Sequence, residues 1–366
     1  MNVFHLIAVS VKKLGYSEER CKKVFKGIVK RLKGREVESM LTDIKDGELL
    51  GENYYSMAIS ENKRYPTMLV VENKLVTLDA SNLTPISEDN SSTSGLLGVV
   101  YYKDILIRIH RDPQIDFCSP DLKLIWSVTS VRPLSRILAW FNFSECYQVS
   151  RYGKFYMINN ANKLMMADLN MIDELRHLVV SPFMFVSKDV INLTLSHNHK
   201  DVIYLKNNKQ CLQVWKNQVK IFDLEQKINA NSRAATVAAS GRYLLITTRQ
   251  IDNPVIHQLW TTKAKKLDQI DMELDMLSKK SRDVKNVTGF IKHNLSFFLV
   301  TCFWTHAYLL AVFRGKVCIV KHHFATGEID GDEEKITNNC TLVRHHGKMT
   351  EFVFVGYKRS VFSMKF

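Results

Sequence analysis

The sequence predicts a mainly β chain, built of a recurring unit of roughly 45 residues behind a short basic α-helical segment. Three observations lead there. The hydrophobic period changes near residue 53 from helical to strand-like. A strand–turn–strand–turn–strand pattern then returns at near-even steps. Gly and Pro number only 15 and 7, which leaves no material for long flexible or proline-rich linkers.

Residues 1–47 form the predicted helical segment. Cys21, Val24, Phe25, Ile28 and Leu32 recur at three- and four-residue steps, which places them on one helix face. Ser17 is a suitable N-cap, with Glu18 and Glu19 in the positive first turn, and Gly34 is a stop. Phe4, Ile7, Val11 and Leu14 predict a shorter helix before it, and Val37, Leu41 and Ile44 a third that ends near Gly47. The first 25 residues resemble a LisH dimerisation motif in Leu6, Ile7 and Gly15-Tyr16, and depart from it where Cys21 and Phe25 stand one and two positions late.

From residue 53 the apolar residues gather in short runs: Met68–Val71, Ile105–Ile109, Tyr243–Ile246 and Phe352–Val355. These runs are rich in β-branched and aromatic types, with turn-forming residues close by, and read as strands. The clearest repeat unit has strands at Val202–Leu205, Cys211–Trp215 and Val219–Phe222, with turns at Lys206–Lys209 and Lys216–Gln218. Trp215 and Trp260 mark equivalent points of successive units. Asp79, Trp126, Asp168, Lys321 and Lys365 extend the series, and the steps are 47, 42, 47, 45, 61 and 44. The long step coincides with residues 262–287, where Leu267, Ile270, Leu274 and Leu277 stand at helical spacing among charges, so a helical insertion is expected there.

On this spacing and strand pattern residues 53–366 resemble the WD40-like β-propeller superfamily, and seven marker positions imply seven blades. No repeat carries Trp-Asp, since Lys216 follows Trp215 and Thr261 follows Trp260. The last repeat supplies three strands, Thr341–Arg344, Phe352–Tyr357 and Val361–Phe366. An N-terminal strand at Tyr54–Ile59 or Thr67–Val71 is expected to complete its sheet and hide the open edge. Strand spacing alone would also permit a helical domain with β-sandwiches, and the even beat favours the ring.

Seven cysteines, none spaced as CxxC, predict buried free thiols in a reducing compartment, cytoplasmic or nuclear. No Lys or Arg precedes the apolar stretch Val3–Val11 and no clean cleavage site follows, so a secretory leader is not expected. No run reaches membrane-spanning length. GxSxG, P-loop, GxGxxG and HExxH motifs are all absent, and a non-catalytic chain without a small-molecule substrate or cofactor is expected. His197 and His199 form an HxH pair without a third ligand nearby, which reads as an exposed turn and not a metal site. His322-His323 and His345-His346 are adjacent pairs that would point to opposite strand faces.

The net charge of +14 favours acidic partners. Its densest part runs from Lys12 to Arg35, where Lys12, Lys13, Arg20, Lys22, Lys23, Lys26, Lys30, Arg31, Lys33 and Arg35 face only Glu18 and Glu19. These ten are the candidate partner- or nucleic-acid-binding residues, and the same charges would also suit the solvated face of a helix that caps the β body. Near the C-terminus Arg344, His345, His346, Lys348, Lys358, Arg359 and Lys365 alternate with Phe352, Phe354, Tyr357 and Phe362, a pattern of core aromatics and surface charge that could also touch RNA. The chain therefore reads as a scaffold that binds one or more proteins within a complex, with RNA binding in a ribonucleoprotein or RNA-modification complex as the alternative.

Overall fold

A computed structural model describes residues 44–48, 54–58, 67–71, 74–78, 85–89, 96–110, 114–129, 147–159, 161–178, 182–208, 211–224, 235–248, 255–272, 284–292, 295–302, 306–313, 315–324, 341–344, 351–355 and 360–365. Seven four-stranded antiparallel sheets are present among them. The first consists of β2 (Tyr54–Ala58), β3 (Thr67–Val71), β4 (Lys74–Leu78) and β5 (Pro85–Asp89). The second has β6 (Leu96–Tyr102), β7 (Ile105–His110), β8 (Ile115–Cys118) and β9 (Leu124–Val128). The third has β10 (Tyr147–Val149), β11 (Lys154–Ile158), β12 (Leu164–Asp168) and β13 (Phe183–Ser187), with a 3-10 turn (Leu169–Met171) and helix α1 (Ile172–Leu178) between its last two strands. The fourth has β14 (Val190–Leu195), β15 (Val202–Asn208), β16 (Cys211–Lys216) and β17 (Val219–Leu224). The fifth has β18 (Ala235–Ser240), β19 (Tyr243–Thr248), β20 (Val255–Thr261) and β21 (Lys266–Met272). The sixth has β22 (Val284–Lys292), β23 (Leu295–Cys302), β24 (His306–Phe313) and β25 (Lys316–Phe324). The seventh joins β26 (Thr341–Arg344), β27 (Glu351–Val355) and β28 (Ser360–Lys365) to β1 (Ile44–Glu48).

Six of the sheets are meanders and the seventh is a three-stranded meander completed by β1; the first strand of each meander lies against the first strands of its neighbours. β6 touches β2 and β10, β14 touches β10 and β18, β22 touches β18 and β26, and β26 touches β2. The core is divided accordingly into layers between sheets. Met68 and Leu75 of the first sheet meet Leu96, Val99, Leu106 and Cys118 of the second. Ile203, Leu205, Leu212 and Val214 of the fourth meet Ala235, Val237, Leu244 and Ile246 of the fifth. Tyr243 and Leu245 point the other way, to Phe298, Val300 and Leu310 of the sixth. Strand side chains alternate between faces, and here both faces are covered, so Tyr243–Ile246 is apolar without interruption. The short runs seen in the sequence have this origin.

The repeat marker holds at its best-defined points. Trp215 and Trp260 both stand one residue before the end of a third strand, and both adjoin a register shift against the fourth. Each indole Nε1 donates to a glutamine two residues earlier, Trp215 to Gln213 Oε1 at 3.2 Å and Trp260 to Gln258 Oε1 at 3.1 Å. Both rings are half-buried rather than fully buried. Trp126 and Lys321, by contrast, lie in fourth strands, β9 and β25, so they are not equivalent to the tryptophans. With third strands ending at Thr261, Phe313 and Lys365, the long step disappears.

Three further expectations need correction. Lys266–Met272 is a strand, with Ile270 buried against the sixth sheet and Leu267 packed beside it, so the helical spacing of those two residues was coincidental. Leu274 and Leu277 lie outside the described residues. Ile44–Glu48 is a strand where a third helix was expected. It pairs antiparallel with β28, Ile44 opposite Met364 and Glu48 opposite Ser360, and so completes the seventh sheet in place of Tyr54–Ile59 or Thr67–Val71. Those two stretches form β2 and β3, which pair with each other.

Candidate interaction face

Hairpin geometry sets where the polar residues emerge. In each meander the turn after the first strand and the turn after the third open on the same side. Four turns among the described residues share one construction. The backbone N–H of Ser119, Ser150, Asn159 and Thr261 donates to the carbonyl four residues on, and the residue three places on donates back. That third residue is left-handed in every case: Leu122 at φ 67, Gly153 at φ 83, Asn162 at φ 57 and Ala264 at φ 66. The opening Ser, Asn or Thr side chain bonds into its own turn, and the closing residue is a lysine each time: Lys123, Lys154, Lys163 and Lys265. Three of the four lysines stand on the side of the first and third turns. The short motif Ser/Thr/Asn-x-x-x-Lys is common to all four, but it also occurs inside strand β22 at Thr288 to Lys292, so it does not single out these turns in the sequence.

On that side one residue ties three turns together. Asn170, in the 3-10 turn after β12, accepts at Oδ1 from the Tyr102 hydroxyl at 2.8 Å and from Lys103 Nζ at 3.5 Å, both in the first turn of the second sheet. Its Nδ2 donates to the Tyr152 carbonyl at 2.8 Å, in the first turn of the third sheet. Arg151 continues the line by donating to the Asn198 carbonyl at 2.9 Å, in the first turn of the fourth sheet. The approach is close enough to require glycine at 153, where a Cβ would stand 2.5 Å from Asn170 Nδ2 and 2.8 Å from the Tyr102 hydroxyl. Asp168 caps the turn by accepting from the Asn170 backbone N–H at 3.1 Å. Burial opposes ionisation of Asp168, yet its bonds to the Lys154 ammonium and to Asn170 hold the carboxyl below its usual range.

The resulting strip is basic and aromatic. Lys103 Nζ lies 5.0 Å from the Tyr102 ring, Arg151 Cζ 5.4 Å from the Tyr152 ring, and, in the fifth sheet, Arg242 Cζ 5.1 Å from the Tyr243 ring. Lys123, Lys154 and Lys216 are ion-paired with Asp121, Asp168 and Asp201. Among the described residues Lys103, Arg151, Lys200 and Arg242 have no such carboxylate partner within ion-pair distance, and all four are exposed. Exposed apolar side chains stand at the same end. The large ones are Ile86, Leu124, Tyr152, Met171, Met184, Phe185 and Val219; Phe185 lies in the middle of β13, and the other six lie in a first or third turn or in the first two residues of a fourth strand. Four of the seven belong to the third sheet.

Two buried polar spots lie within single sheets. Asp116 accepts from Arg108 at 3.2 Å and from Gln114 at 2.9 Å, and lies 2.9 Å from His110 Nε2. Burial raises its pKa, but the His110, Gln114 and Ser127 bonds prevail and hold the carboxyl far below the usual range. His257 Nδ1 lies 2.7 Å from Thr247 Oγ1, and complete burial lowers its pKa to about 3. Both join strands of one sheet and do not reach the exposed strip.

The ten cations from Lys12 to Arg35 lie outside the described residues, as do His345, His346, Lys348, Tyr357, Lys358 and Arg359. His197 and His199 fall in the turn between β14 and β15, as the sequence indicated. Among the described residues no group of three His, Cys, Asp or Glu side chains is placed to hold a metal ion. No helix among them is long and apolar enough to cross a membrane.

No protein-family model matches the chain, and no curated protein does. Solved structures match in number. BamB from Moraxella catarrhalis aligns over 89% of this chain and 92% of its own, at 10% identity and a TM-score of 0.52. A chain of the Mitotic Checkpoint Complex aligns over 89% of this chain and 91% of its own, at 9% identity and a TM-score of 0.59. The chain is a β-propeller. At such identities the likeness establishes the propeller's fold and leaves its function to be argued from its own surface.

Proposed function

We propose that this chain is a seven-bladed propeller, closed by β1 against β28 and preceded by a basic helical arm, and that it works as a non-catalytic scaffold within a multiprotein complex. One observation carries the reading: the exposed strip of cations and apolar side chains that Asn170 and Arg151 fix across three sheets. Propeller faces built of short turns are rigid, so such a strip is preorganised and loses little entropy on binding. The test is purification of the tagged full chain from its native cell without cross-linking. Stoichiometric protein partners are expected, and a chain that runs alone as a monomer would contradict the proposal.

The net charge of +14 keeps RNA as a second reading, with the arm as its contact. Neutralising Lys22, Lys26 and Lys30 is expected to lower the slope of log affinity against log salt by roughly one phosphate contact each. Binding that ignores salt would end that reading. Because β1 belongs to the seventh sheet, the arm is separable only before Ile44. Removal of residues 1–43 tests the arm, whereas removal of 1–47 would also open the ring.

A further inference from the structure

We infer that the strip on the second to fourth sheets docks an acidic, amphipathic peptide segment of a partner protein. The inference rests on the scaffold reading and names the chemistry of one partner. Lys103, Arg151 and Lys200 stand exposed along the strip without ion-paired carboxylates, in three successive first turns linked through Asn170 and Asn198. Lys200 belongs to this line because its backbone N–H donates to Asn198 Oδ1 at 3.1 Å, in the turn that Arg151 holds. Tyr152 and Met171, 45% and 44% exposed, directly follow Arg151 and Asn170, and Phe185, 58% exposed, lies two residues into the adjoining fourth strand. Charge complementarity calls for carboxylates, and the interleaved apolar side chains call for apolar anchors between them. Methionine adapts its shape to the anchor it meets.

The same side carries the exposed carboxylates of Asp104, Asp173 and Glu174. A nucleic-acid backbone brings a charge at every residue and would meet them, whereas a peptide can leave its uncharged positions there. This favours a peptide over RNA.

The test uses the full chain and fluorescence anisotropy. The probe is a short labelled peptide alternating Glu and Asp with Leu and Phe. Comparators are a Glu-Ser peptide, a Lys-Leu-Phe peptide, oligouridine, and phosphatidylcholine vesicles containing phosphatidylserine. The acidic apolar peptide should bind best, and added salt should weaken it. Lys103→Gln with Lys200→Gln should weaken binding about tenfold, and Met171→Ser with Phe185→Ser by a similar factor. These side chains are exposed, so the variants should melt with the parent chain. If the double lysine variant does not, Lys200→Gln alone is read instead. The inference is overturned if no probe binds or if the Lys peptide binds equally. It is also overturned if the apolar pair has no effect, or if oligouridine or vesicles bind more tightly through the same residues. Failure here with intact stoichiometric complexes from the native cell would leave the scaffold reading standing. A solitary monomer that still binds the peptide would do the reverse.

Discussion

The fourth and fifth sheets follow one plan, and the third departs from it where the exposed strip is built. In the former two the third strand ends in Gln-x-Trp-x, the indole reaches back to the glutamine, and the fourth strand follows after a short turn. In the third sheet the matching end reads Met165-Met166-Ala167-Asp168, and a 3-10 turn and a helix intervene before β13. The cross-strand ion pair persists with its polarity exchanged, Asp201–Lys216 in the fourth sheet and Lys154–Asp168 in the third. The lesson is a division of labour. Sheets that keep the indole spend their strand ends on packing, and the sheet that gives it up spends them on positioning Asn170 and exposing Met171, Met184 and Phe185.

The comparison breaks first at the tryptophans. Trp260 stacks on Phe222 with ring centroids 4.2 Å apart, and Trp215 on Tyr204 at 6.3 Å. Trp260→Ala is expected to cost about 3 kcal/mol and Trp215→Ala somewhat less, measured by denaturant unfolding. A Trp260→Ala protein as stable as the parent would show that the indole is not a packing element.

Acid should separate the fifth sheet from the second. His257 stays neutral in the folded chain down to about pH 3, while the unfolded histidine protonates near 6.5. Its contribution is therefore complete above about pH 6.5 and lost as pH falls towards 3, on the order of a few kcal/mol. Asp116 also has its pKa depressed, but from the lower carboxylate value, so its contribution is complete above about pH 4 and lost only below that. Stability measured from pH 7 to 4 should thus fall in the parent and flatten in His257→Gln. Asp116→Asn should leave that slope unchanged, and an equal flattening in both variants would refute the assignment.

Gly153→Ala meets both a left-handed backbone and the Asn170 side chain, and about 2 kcal/mol of destabilisation is expected. Asn170→Ala removes the hub for about 1 kcal/mol. Its sharper signature is faster amide exchange in the turns of Lys103 and Tyr152 with unchanged exchange in the Asn217 turn. Smallest of all, Lys103→Gln and Lys200→Gln should move stability by less than about 0.5 kcal/mol, which a thermal melt would verify.

Much of the fold was legible because sheets buried on both faces write themselves as apolar runs. Val202–Phe222 was readable strand by strand for this reason. The marker residues were less reliable. Trp126 stacks on Phe117 at 5.7 Å from a fourth strand, and composition does not distinguish that place from the end of a third. Leu267 and Ile270 satisfy a helical step and a strand equally well over so short a span. β1 was missed because its residues, Ile-Lys-Asp-Gly-Glu, have little strand propensity and are held by pairing with β28. The exposed strip was invisible for a different reason. Tyr102, Arg151 and Asn170 are ordinary residues far apart in sequence, and only the turns bring them together.

The seam between β1 and β28 also bears on how the chain is made. Ile44 is synthesised long before its partner Met364. Until β26, β27 and β28 are made, the seventh sheet is missing, and the strand that will complete it waits without a neighbour. Pairing β1 with β28 is therefore a long-range event, slower than the local hairpins of the middle sheets, and the nascent chain carries two unpaired edges until it occurs.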